Sequence, residues 1–520
     1  MIRWLQCPSS YTEDSNTLCM RLTVPLGYED PYAGTTTIAF MKHLAENATA
    51  ATQDVLFNPG GPGGSGIESA LVKRNQLRKV FGSSHNIVAF DPRGVGHSGP
   101  NTDCFNGDTA AAFQFASAAY PASLNVTFVS SGTWGELCRK NLDASAHYLG
   151  TPAVARDMLT FTERQAATRG LDPMEVKVNL YGVSYGTVLG ATFATLYPER
   201  VGKFVLDSVM QGKPWYLNGR RDTLVYQDEA VRQFFNQCSK AGPEICTFWA
   251  GSAEETEARY EQLLESLEDD PLQIPYTAVA VDAPIRITAD VVRALVFETS
   301  YHGHTKFLQL AEQLTELERG EYKSWLDTKA IPAPSCTNCT TTDWETIFET
   351  FPGSQLSKTF SLNAHSEILC TDLVPQNIPT LEAFAEIMDA SWNSSRHFGL
   401  QSTDLANCRN WPFRPPSSQQ FDGNFGANIS HPMLILTNNF DPVCPAVYAR
   451  QMSSQFPGSV LLEQEAVAHG AAFLGSNCTE GYVRGYFETG KMPPAGTVCM
   501  PDEQPVLLRD LITEKHSSRP

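Results

Sequence analysis

The feature that most constrains this chain is a serine set between two glycines, where a predicted strand runs into a predicted helix. Val178 to Tyr181 favours a strand, Gly182-Val183-Ser184-Tyr185-Gly186 follows, and Thr187 to Tyr197 has helical spacing. A turn this sharp brings the strand and helix backbones too close for a Cβ at its outer positions. The serine then stands near a helix N-terminus, where N–H groups favour negative charge. The spacing predicts a nucleophile elbow at Ser184, although the pentapeptide alone also occurs by chance.

A second glycine-rich turn follows the predicted strand Asp54 to Asn58. It reads Asn58-Pro59-Gly60-Gly61-Pro62-Gly63-Gly64-Ser65-Gly66, and its two prolines predict a fixed path. Such a loop can cradle a phosphate or line an oxyanion hole. No Gly-Lys-Ser/Thr follows it, so the pattern excludes a P-loop. After the next predicted strand, Asn86 to Phe90, we expect Asp91 and Arg93 to pin a loop by an ion pair.

Strands and helices alternate up to about residue 209 and again after about residue 425. Ahead of the elbow, Cys19 to Pro25 and Thr35 to Lys42 are predicted strands and Ala153 to Arg169 is a predicted helix; Lys203 to Asp207 is the strand after it. This alternation predicts a mostly parallel sheet with its ligand site at the carboxyl ends of the strands. Residues 210–425 are mainly helical by pattern, with predicted helices at Asp228 to Ser239, Ala253 to Leu267, Ala289 to Glu298, Thr305 to Arg319 and Leu381 to Trp392. We therefore expect an α/β core from segments 1–209 and 426–520, with residues 210–425 inserted as a cap, or lid.

The second core segment supplies the groups that a serine nucleophile needs. A hydroxyl is a weak nucleophile at neutral pH, so it requires a base that an acid orients. In chains with this elbow the order is serine, acid and histidine, the last two on loops after late strands. Asp441 follows the predicted strand Pro432 to Thr437, and His469 follows Ser459 to Glu463. We predict Ser184, Asp441 and His469 as a catalytic triad.

Each partner also has a simpler interpretation. Asp441 could cap the predicted helix Ala446 to Phe456, and a single histidine is often only a satisfied surface residue. Cys444 lies near Asp441 in sequence but belongs to no motif of its own, so we expect it to be buried by packing.

Charge and hydropathy limit the partners of the chain. A net charge of -19 over 520 residues argues against a nucleic-acid partner, which would require clustered Lys and Arg. No apolar run reaches the roughly 18 residues that span a bilayer, so we expect no membrane span. No His and Glu pairs stand at ligand spacing, and we expect no cofactor and no metal. The oligomeric state stays open.

Cysteines and sequons favour a secretory history, with a cytoplasmic protein as the alternative. The start of the chain, Met1 to Trp4, lacks the apolar core of a signal peptide, so either a leader has been removed or the protein is intracellular. Six Asn-x-Ser/Thr sequons occur, at Asn47, Asn125, Asn338, Asn393, Asn428 and Asn477. The 13 cysteines suggest local disulfides, although spacing does not determine connectivity: Cys7 with Cys19, Cys104 with Cys138, Cys238 with Cys246, Cys336 with Cys339, Cys370 with Cys408, and Cys478 with Cys499. Cys444 is left over.

Taken together, the motifs resemble those of α/β-hydrolases of the proline iminopeptidase and tripeptidyl aminopeptidase group, with a tripeptidyl-aminopeptidase-like (TAP-like) C-terminal segment. The resemblance runs from about residue 4 to 500 and is weak inside the cap. It is carried by the glycine-rich loop from Asn58, by Gly182 to Gly186, and by Asp91-Pro92-Arg93-Gly94-Val95-Gly96-His97-Ser98, Asp441-Pro442-Val443, Ala468-His469-Gly470, Cys370-Thr371-Asp372 and Cys408-Arg409-Asn410-Trp411-Pro412.

The resemblance implies an α/β-hydrolase fold, a mostly parallel sheet with a large mainly helical inserted cap. It also implies an oxyanion hole from the Gly60-Gly61 turn and the Tyr185 N–H. Two positions depart from the group: Asn58-Pro59 stands where iminopeptidases usually carry His-Gly, and Cys444 where Thr is commoner.

Three functional hypotheses follow. The first is an exopeptidase or amidase that works through an acyl-enzyme on a short peptide; it needs an acidic group for the substrate amine, and the cap offers Glu229, Glu244 and Glu298 among others. The second is an esterase or lactonase acting on a small molecule with the same triad. The third is a binding protein on a hydrolase scaffold that has lost its activity, which the presence of all three predicted triad residues disfavours.

Overall fold

A ten-stranded sheet forms the centre of the fold. The computed structural model describes residues 2–8, 14–49, 51–108, 111–112, 124–218, 221–274, 285–324, 362–376, 378–397, 399 and 404–509. In chain order the strands of this sheet are β1 (Leu5–Gln6), β2 (Thr17–Pro25), β3 (Thr35–His43), β4 (Asp54–Asn58), β5 (Asn86–Phe90), β6 (Val178–Val183), β7 (Val201–Asp207), β10 (Leu434–Asn438), β11 (Val460–Gln464) and β12 (Val498–Cys499). Two further strands, β8 (Leu272–Ile274) and β9 (Ile285–Ile287), form a small antiparallel sheet of their own.

The spatial order of the large sheet is β1-β2-β3-β5-β4-β6-β7-β10-β11-β12. β1, β2, β3 and β5 pair antiparallel, and every later pairing is parallel, which confirms the predicted mostly parallel sheet. The register sets Asn58 beside Gly182, and Asp207 beside both Val183 and Leu436. The loops after β4, β6, β7 and β10 therefore leave the sheet from one edge.

Helices cover both faces of the sheet, so its central strands are buried on both faces rather than alternating between buried and exposed residues. All five residues of β5 and of β10 are buried. One face packs against Thr151–Thr168, Tyr185–Leu196 and Ala446–Gln455, and the other against Gly66–Val72, Arg74–Phe81 and Asn477–Thr489. These two layers bury the hydrophobic core of the α/β fold.

The segment between β7 and β10 is mainly helical in its described residues, as the helical pattern predicted. Its helices are Gly212–Asn218, Asp228–Ala241, Ala253–Asp269, Ala289–Ser300, Gly303–Glu318, Leu362–Asp372, Leu381–Ser394 and Asp404–Cys408. They contribute to two apolar clusters, one mainly from residues between 224 and 317 together with Val467 and Leu507, and one that includes residues 364–413. The proposed limits of the cap, 210 and 425, remain a prediction.

Helix Leu124–Asn141 joins the second of these clusters, although it precedes Ser184 in the chain. Its Trp134 stacks on Trp411 at 5.3 Å between ring centroids. The sequence did not predict this helix, because Gly132 and Gly135 weaken the helical signal. A Cβ at Gly132 would lie 2.2 Å from the Arg409 guanidinium, and one at Gly135 would lie 2.6 Å from the Asn410 carbonyl. Close packing therefore accounts for both glycines.

Five of the six proposed disulfides are formed: Cys7–Cys19, Cys104–Cys138, Cys238–Cys246, Cys370–Cys408 and Cys478–Cys499. The proposed Cys336–Cys339 pair lies outside the described residues. Cys444 is the one described cysteine outside a disulfide, and it is buried as predicted. Among the described helices, none has the length and apolar character that a membrane crossing requires.

Candidate active site

Ser184 occupies a strained turn between β6 and helix Tyr185–Leu196. Its φ of 58° and ψ of -123° lie in a region that residues with a side chain rarely adopt. A Cβ at Gly182 would lie 2.3 Å from the Gly186 carbonyl oxygen, and one at Gly186 would lie 2.8 Å from the Asn58 carbonyl oxygen. Both flanking glycines are thus required by close backbone approach. The geometry is that expected of a nucleophile elbow.

Asp441 and His469 lie in direct contact. Both carboxylate oxygens of Asp441 are 3.0 Å from His469 Nδ1. Asp441 Oδ1 also accepts the N–H groups of Val443 at 2.9 Å and Cys444 at 2.8 Å, which fixes the carboxylate in the turn after β10. Helix Ala446–Gln455 begins after this turn with Pro445 as its N-cap, so Asp441 does not cap it. The Asp441 side chain is fully buried, whereas that of His469 keeps 12% of its surface exposed.

Asp207 connects the His469 loop to the elbow. Its backbone carbonyl accepts the Ser184 N–H at 3.0 Å. Its carboxylate accepts the N–H groups of Ala471 at 2.8 Å and Ala472 at 3.0 Å, and the Tyr181 hydroxyl at 2.6 Å. Burial raises the pKa of this carboxyl group above its ordinary value. Asp207 is not among the residues predicted from the sequence. The signal that could have identified it is an acidic residue at the end of a predicted parallel strand.

The Ser184 turn and the His469 loop are therefore both held by the end of one strand, but the two side chains form no hydrogen bond with each other. Among the hydrogen bonds of the described residues, none joins the Ser184 hydroxyl to the His469 ring. The backbone N–H of His469 donates to the backbone carbonyl of Tyr301 at 2.9 Å. The rings of the two residues meet edge to face, with their centroids 5.2 Å apart. Tyr301 follows helix Ala289–Ser300, so the mainly helical region also holds the histidine loop.

The glycine-rich loop lies directly against the elbow. Gly60 has a φ of +95°, and a Cβ there would lie 2.4 Å from the Val183 carbonyl and 2.8 Å from Ser184 Cβ. Its N–H donates to Asn58 Oδ1 at 3.0 Å, so of the predicted Gly60-Gly61 pair only Gly61 keeps an available N–H within the described hydrogen bonds. Tyr185 is the first residue of its helix, and its N–H has no intrahelical acceptor.

Asp91 and Arg93 do pin their loop, but not by pairing with each other. Arg93 forms a fully buried ion pair with Asp157, 2.7 Å from Nε to Oδ2. Asp91 instead accepts hydrogen bonds from the Ser65 hydroxyl at 2.7 Å and the His97 N–H at 2.9 Å. The expectation of an ion pair is correct for Arg93 and wrong for Asp91, because the aspartate that reaches the guanidinium comes from helix Thr151–Thr168.

The buried carboxyl group of Asp372 is linked to the Tyr185 side chain through Thr151. The Tyr185 hydroxyl bonds to Thr151 Oγ1, and Thr151 Oγ1 bonds in turn to Asp372. Trp215 Nε1 donates to Asp372 Oδ2 at 2.9 Å. Burial raises the pKa of Asp372 from 3.8 to about 6. The Cys370-Thr371-Asp372 motif marked this residue in the sequence but gave no role for it.

The acids named from the sequence as partners for a substrate amine lie at the surface. Glu229, Glu244 and Glu298 are all exposed, and Glu229 is already bonded to Arg232 at 2.9 Å. Another acid of this region, Glu367, is fully buried, and burial raises its pKa well above the ordinary value. A fully buried carboxyl group cannot contact a substrate in this conformation.

One group of described side chains has the donor atoms and the proximity to hold a metal ion: Asp441, Cys444 and His469. One ligand atom from each lies within 4.8 Å of the others. Cys444 is 1% exposed. The thiol therefore lies beside the Asp441–His469 pair.

Two family models match the chain. One, described as alpha/beta hydrolase fold, matches residues 55–236, which include the glycine-rich loop and the elbow. The other, described as TAP-like protein, matches residues 398–499, which include Asp441 and His469.

Full-length relatives cover nearly the whole chain. The tripeptidyl aminopeptidase of Streptomyces lividans is 24% identical, over 97% of this chain and 87% of its own length. Serine protease Hip1 of Mycobacterium tuberculosis is 26% identical, over 96% of this chain and 91% of its own. Carboxylesterase B of the same species is 24% identical, over 96% and 90%. The chain has the α/β-hydrolase fold, and its residues 398–499 match the TAP-like family model.

Proposed function

We propose that the protein is a serine hydrolase that cleaves peptide or amide bonds, and that it is an exopeptidase releasing N-terminal residues or short peptides. The observation that carries the proposal is the arrangement around Asp207, which binds the Ser184 N–H through its carbonyl and the His469 loop through its carboxylate. The full-length similarity to a tripeptidyl aminopeptidase and to a serine protease supports the choice of a peptide bond.

In the proposed reaction His469 takes the proton of the Ser184 hydroxyl as its oxygen attacks the substrate carbonyl. Asp441, 3.0 Å from Nδ1, holds the tautomer with a free Nε2 lone pair and stabilises the imidazolium that forms. His469 then protonates the leaving amine, and water hydrolyses the acyl-enzyme. Hydrogen bonds of this kind are often long in the absence of substrate, so the missing Ser184–His469 bond is compatible with the mechanism.

The negative charge of the tetrahedral intermediate would be bound by backbone N–H groups. We assign this role to Gly61 and Tyr185, whose N–H groups are available. Gly60 then serves by its lack of a side chain, which lets the loop approach Ser184. Removing one such donor in other hydrolases costs about 10²–10³ in kcat.

Three further features belong to the same proposal. The region from 210 to 425 acts as a lid over the strand ends, a role supported by the contact of Tyr301 with His469. The protein matures in an oxidising, secretory compartment, which is supported by its five described disulfides. Glycosylation is supported by the exposure of every sequon asparagine in the described residues: Asn47, Asn125, Asn393, Asn428 and Asn477.

An esterase acting on a small-molecule ester is the second candidate. The same groups cleave esters, and a relative named Carboxylesterase B matches 96% of the chain.

A substrate comparison separates the two. The turnover rate of the purified protein is measured with three substrates: a tripeptidyl arylamide, the same compound with its amine acetylated, and a short acyl ester. Ser184→Ala is the control. Turnover of the free amine compound that is lost on acetylation supports the exopeptidase. Turnover of the ester alone supports the esterase and overturns the peptidase assignment. Equal turnover by Ser184→Ala would overturn both.

A further inference from the structure

Beside the Asp441–His469 pair lies a third donor of a different kind, the thiol of Cys444. We propose that these three side chains form a binding site for a thiophilic divalent cation, Zn²⁺ foremost, and that metal binding there reversibly switches hydrolysis off. This inhibitory site goes beyond the hydrolytic activity proposed above.

The donor set and its spacing support the site. Zn²⁺ favours imidazole nitrogen, thiolate sulfur and carboxylate oxygen, in a tetrahedral arrangement whose ligand atoms are about 3.5 Å apart. Asp441 Oδ1 and His469 Nδ1 are already 3.0 Å apart, and the Cys444 ligand atom completes a group within 4.8 Å. Movements of about 1 Å in side chains would bring the three to bonding distance. A water molecule would be the fourth ligand.

The surroundings favour such a site over a packed thiol alone. The Asp441 carboxylate is fully buried, and a negative charge in a buried position gains from a nearby cation. The His469 side chain keeps 12% of its surface exposed, so the three side chains are not all closed off from solvent. The N–H groups of Val443 and Cys444 hold Asp441 Oδ1 in place, which leaves the carboxylate little freedom to turn away.

Metal binding at this position would stop catalysis by a defined proton change. Zn²⁺ takes the place of the thiol proton of Cys444, which is released to solvent. The imidazole proton moves from Nδ1, which now binds the metal, to Nε2, so His469 has no lone pair to accept the Ser184 proton. One proton is released to solvent per ion bound.

The test compares the protein with Cys444→Ser and Cys444→Thr, which keep the backbone N–H of residue 444. Each protein's rate is measured against ZnCl₂ concentration, relative to its own rate without metal, and again after EDTA. We expect reversible inhibition of the parent. Because even outer-sphere partners contribute 10–100-fold to metal affinity, loss of a ligand should raise the half-inhibiting zinc concentration at least about tenfold. Equal sensitivity of parent and variants, or no inhibition of the parent, overturns the proposal.

A second measurement does not depend on activity. Co²⁺ bound to thiolate gives a charge-transfer absorption in the near ultraviolet, which we expect in the parent and in Ser184→Ala but not in Cys444→Ser. Its absence from the parent overturns the site even if hydrolysis is never detected. His302 lies near enough to His469 for their charges to interact, so His302→Asn is the matched control. We expect its zinc sensitivity to be unchanged; loss of sensitivity there would assign the metal to a different imidazole and contradict the proposal.

Discussion

The backbone carbonyl of Asp207 accepts a hydrogen bond from the N–H of Ser184 at 3.0 Å. The carboxylate of the same residue binds the N–H groups of Ala471 and Ala472, two and three positions beyond His469. One strand end thus sets the position of the serine turn and of the histidine loop. Asp207 is a positioning residue in this account, since it contacts neither the predicted nucleophile's hydroxyl nor a substrate.

The variant Asp207→Asn tests that role. An amide in place of the carboxylate would direct an NH₂ group at a backbone N–H, at a cost of about 1–3 kcal/mol, so we expect kcat to fall about 10–100-fold with little change in KM. Tyr181→Phe is the control, because it removes one hydrogen bond to Asp207 and leaves the loop contacts intact. The kcat and KM of both variants are measured by steady-state kinetics. Equal losses of kcat in the two variants would show that Asp207 does not act through the histidine loop.

The pairing of Asp441 with His469 predicts a larger effect. Asp441→Asn keeps the shape of the side chain but favours the wrong imidazole tautomer, and we expect kcat to fall about 10⁴-fold, as in other triads. The thermal unfolding temperature serves as the control for folding. A variant that keeps a tenth or more of the parent kcat would exclude Asp441 as the orienting acid.

Gly60 and Gly170 form a matched pair of positive-φ glycines. The φ angle is +95° at Gly60 and +71° at Gly170, so the backbone would be strained by a side chain at either position. Only at Gly60 would a Cβ also clash, 2.4 Å from the Val183 carbonyl oxygen; at Gly170 nothing lies within 4 Å of it. We expect Gly170→Ala to cost about 1 kcal/mol and keep full activity. We expect Gly60→Ala to lose activity and to unfold at a lower temperature than Gly170→Ala. Similar activity in the two variants would show that the loop does not need to approach Ser184.

Asp372 predicts a specific pH dependence of stability. Its pKa is about 6 in the folded protein and 3.8 for the ordinary group, so between these values the folded state holds a proton that the unfolded state has lost. Stability therefore falls as pH rises from about 4 to 6, by about 3 kcal/mol in all, and this contribution is constant above that range.

The comparison of Asp372→Asn with the parent isolates this effect. Denaturant unfolding is followed at several pH values between 4 and 7 for both proteins. We expect the difference in unfolding free energy between them to change across this range, because the asparagine does not titrate. A constant difference would mean that Asp372 is ionised in the folded protein throughout.

Local patterns were enough to predict the sheet and the elbow. β5 and β10 are short apolar runs bounded by turn residues, and Ser184 lies between glycines at a fixed spacing, so each signal is contained in a few neighbouring residues. The order of Asp441 and His469 after late strands likewise follows from the chain alone.

Features that depend on distant neighbours could not be predicted in this way. The partner of Arg93 is Asp157 rather than Asp91, a choice made by the packing of a helix 64 residues away. The glycines of helix Leu124–Asn141 make room for Arg409 and Asn410, which come from the far side of the insertion. The role of Asp207 depends on its loop contacts with residues 471 and 472, and no local pattern reveals them.

Activation of Ser184 by His469 is tested most directly by labelling with a fluorophosphonate, which reacts with a serine only when a neighbouring base activates it. The parent protein is treated with the probe, digested, and analysed by mass spectrometry to locate the adduct. We expect one adduct on Ser184, absent from Ser184→Ala and formed far more slowly in His469→Ala. An adduct on another residue, or unchanged labelling of His469→Ala, would contradict this expectation.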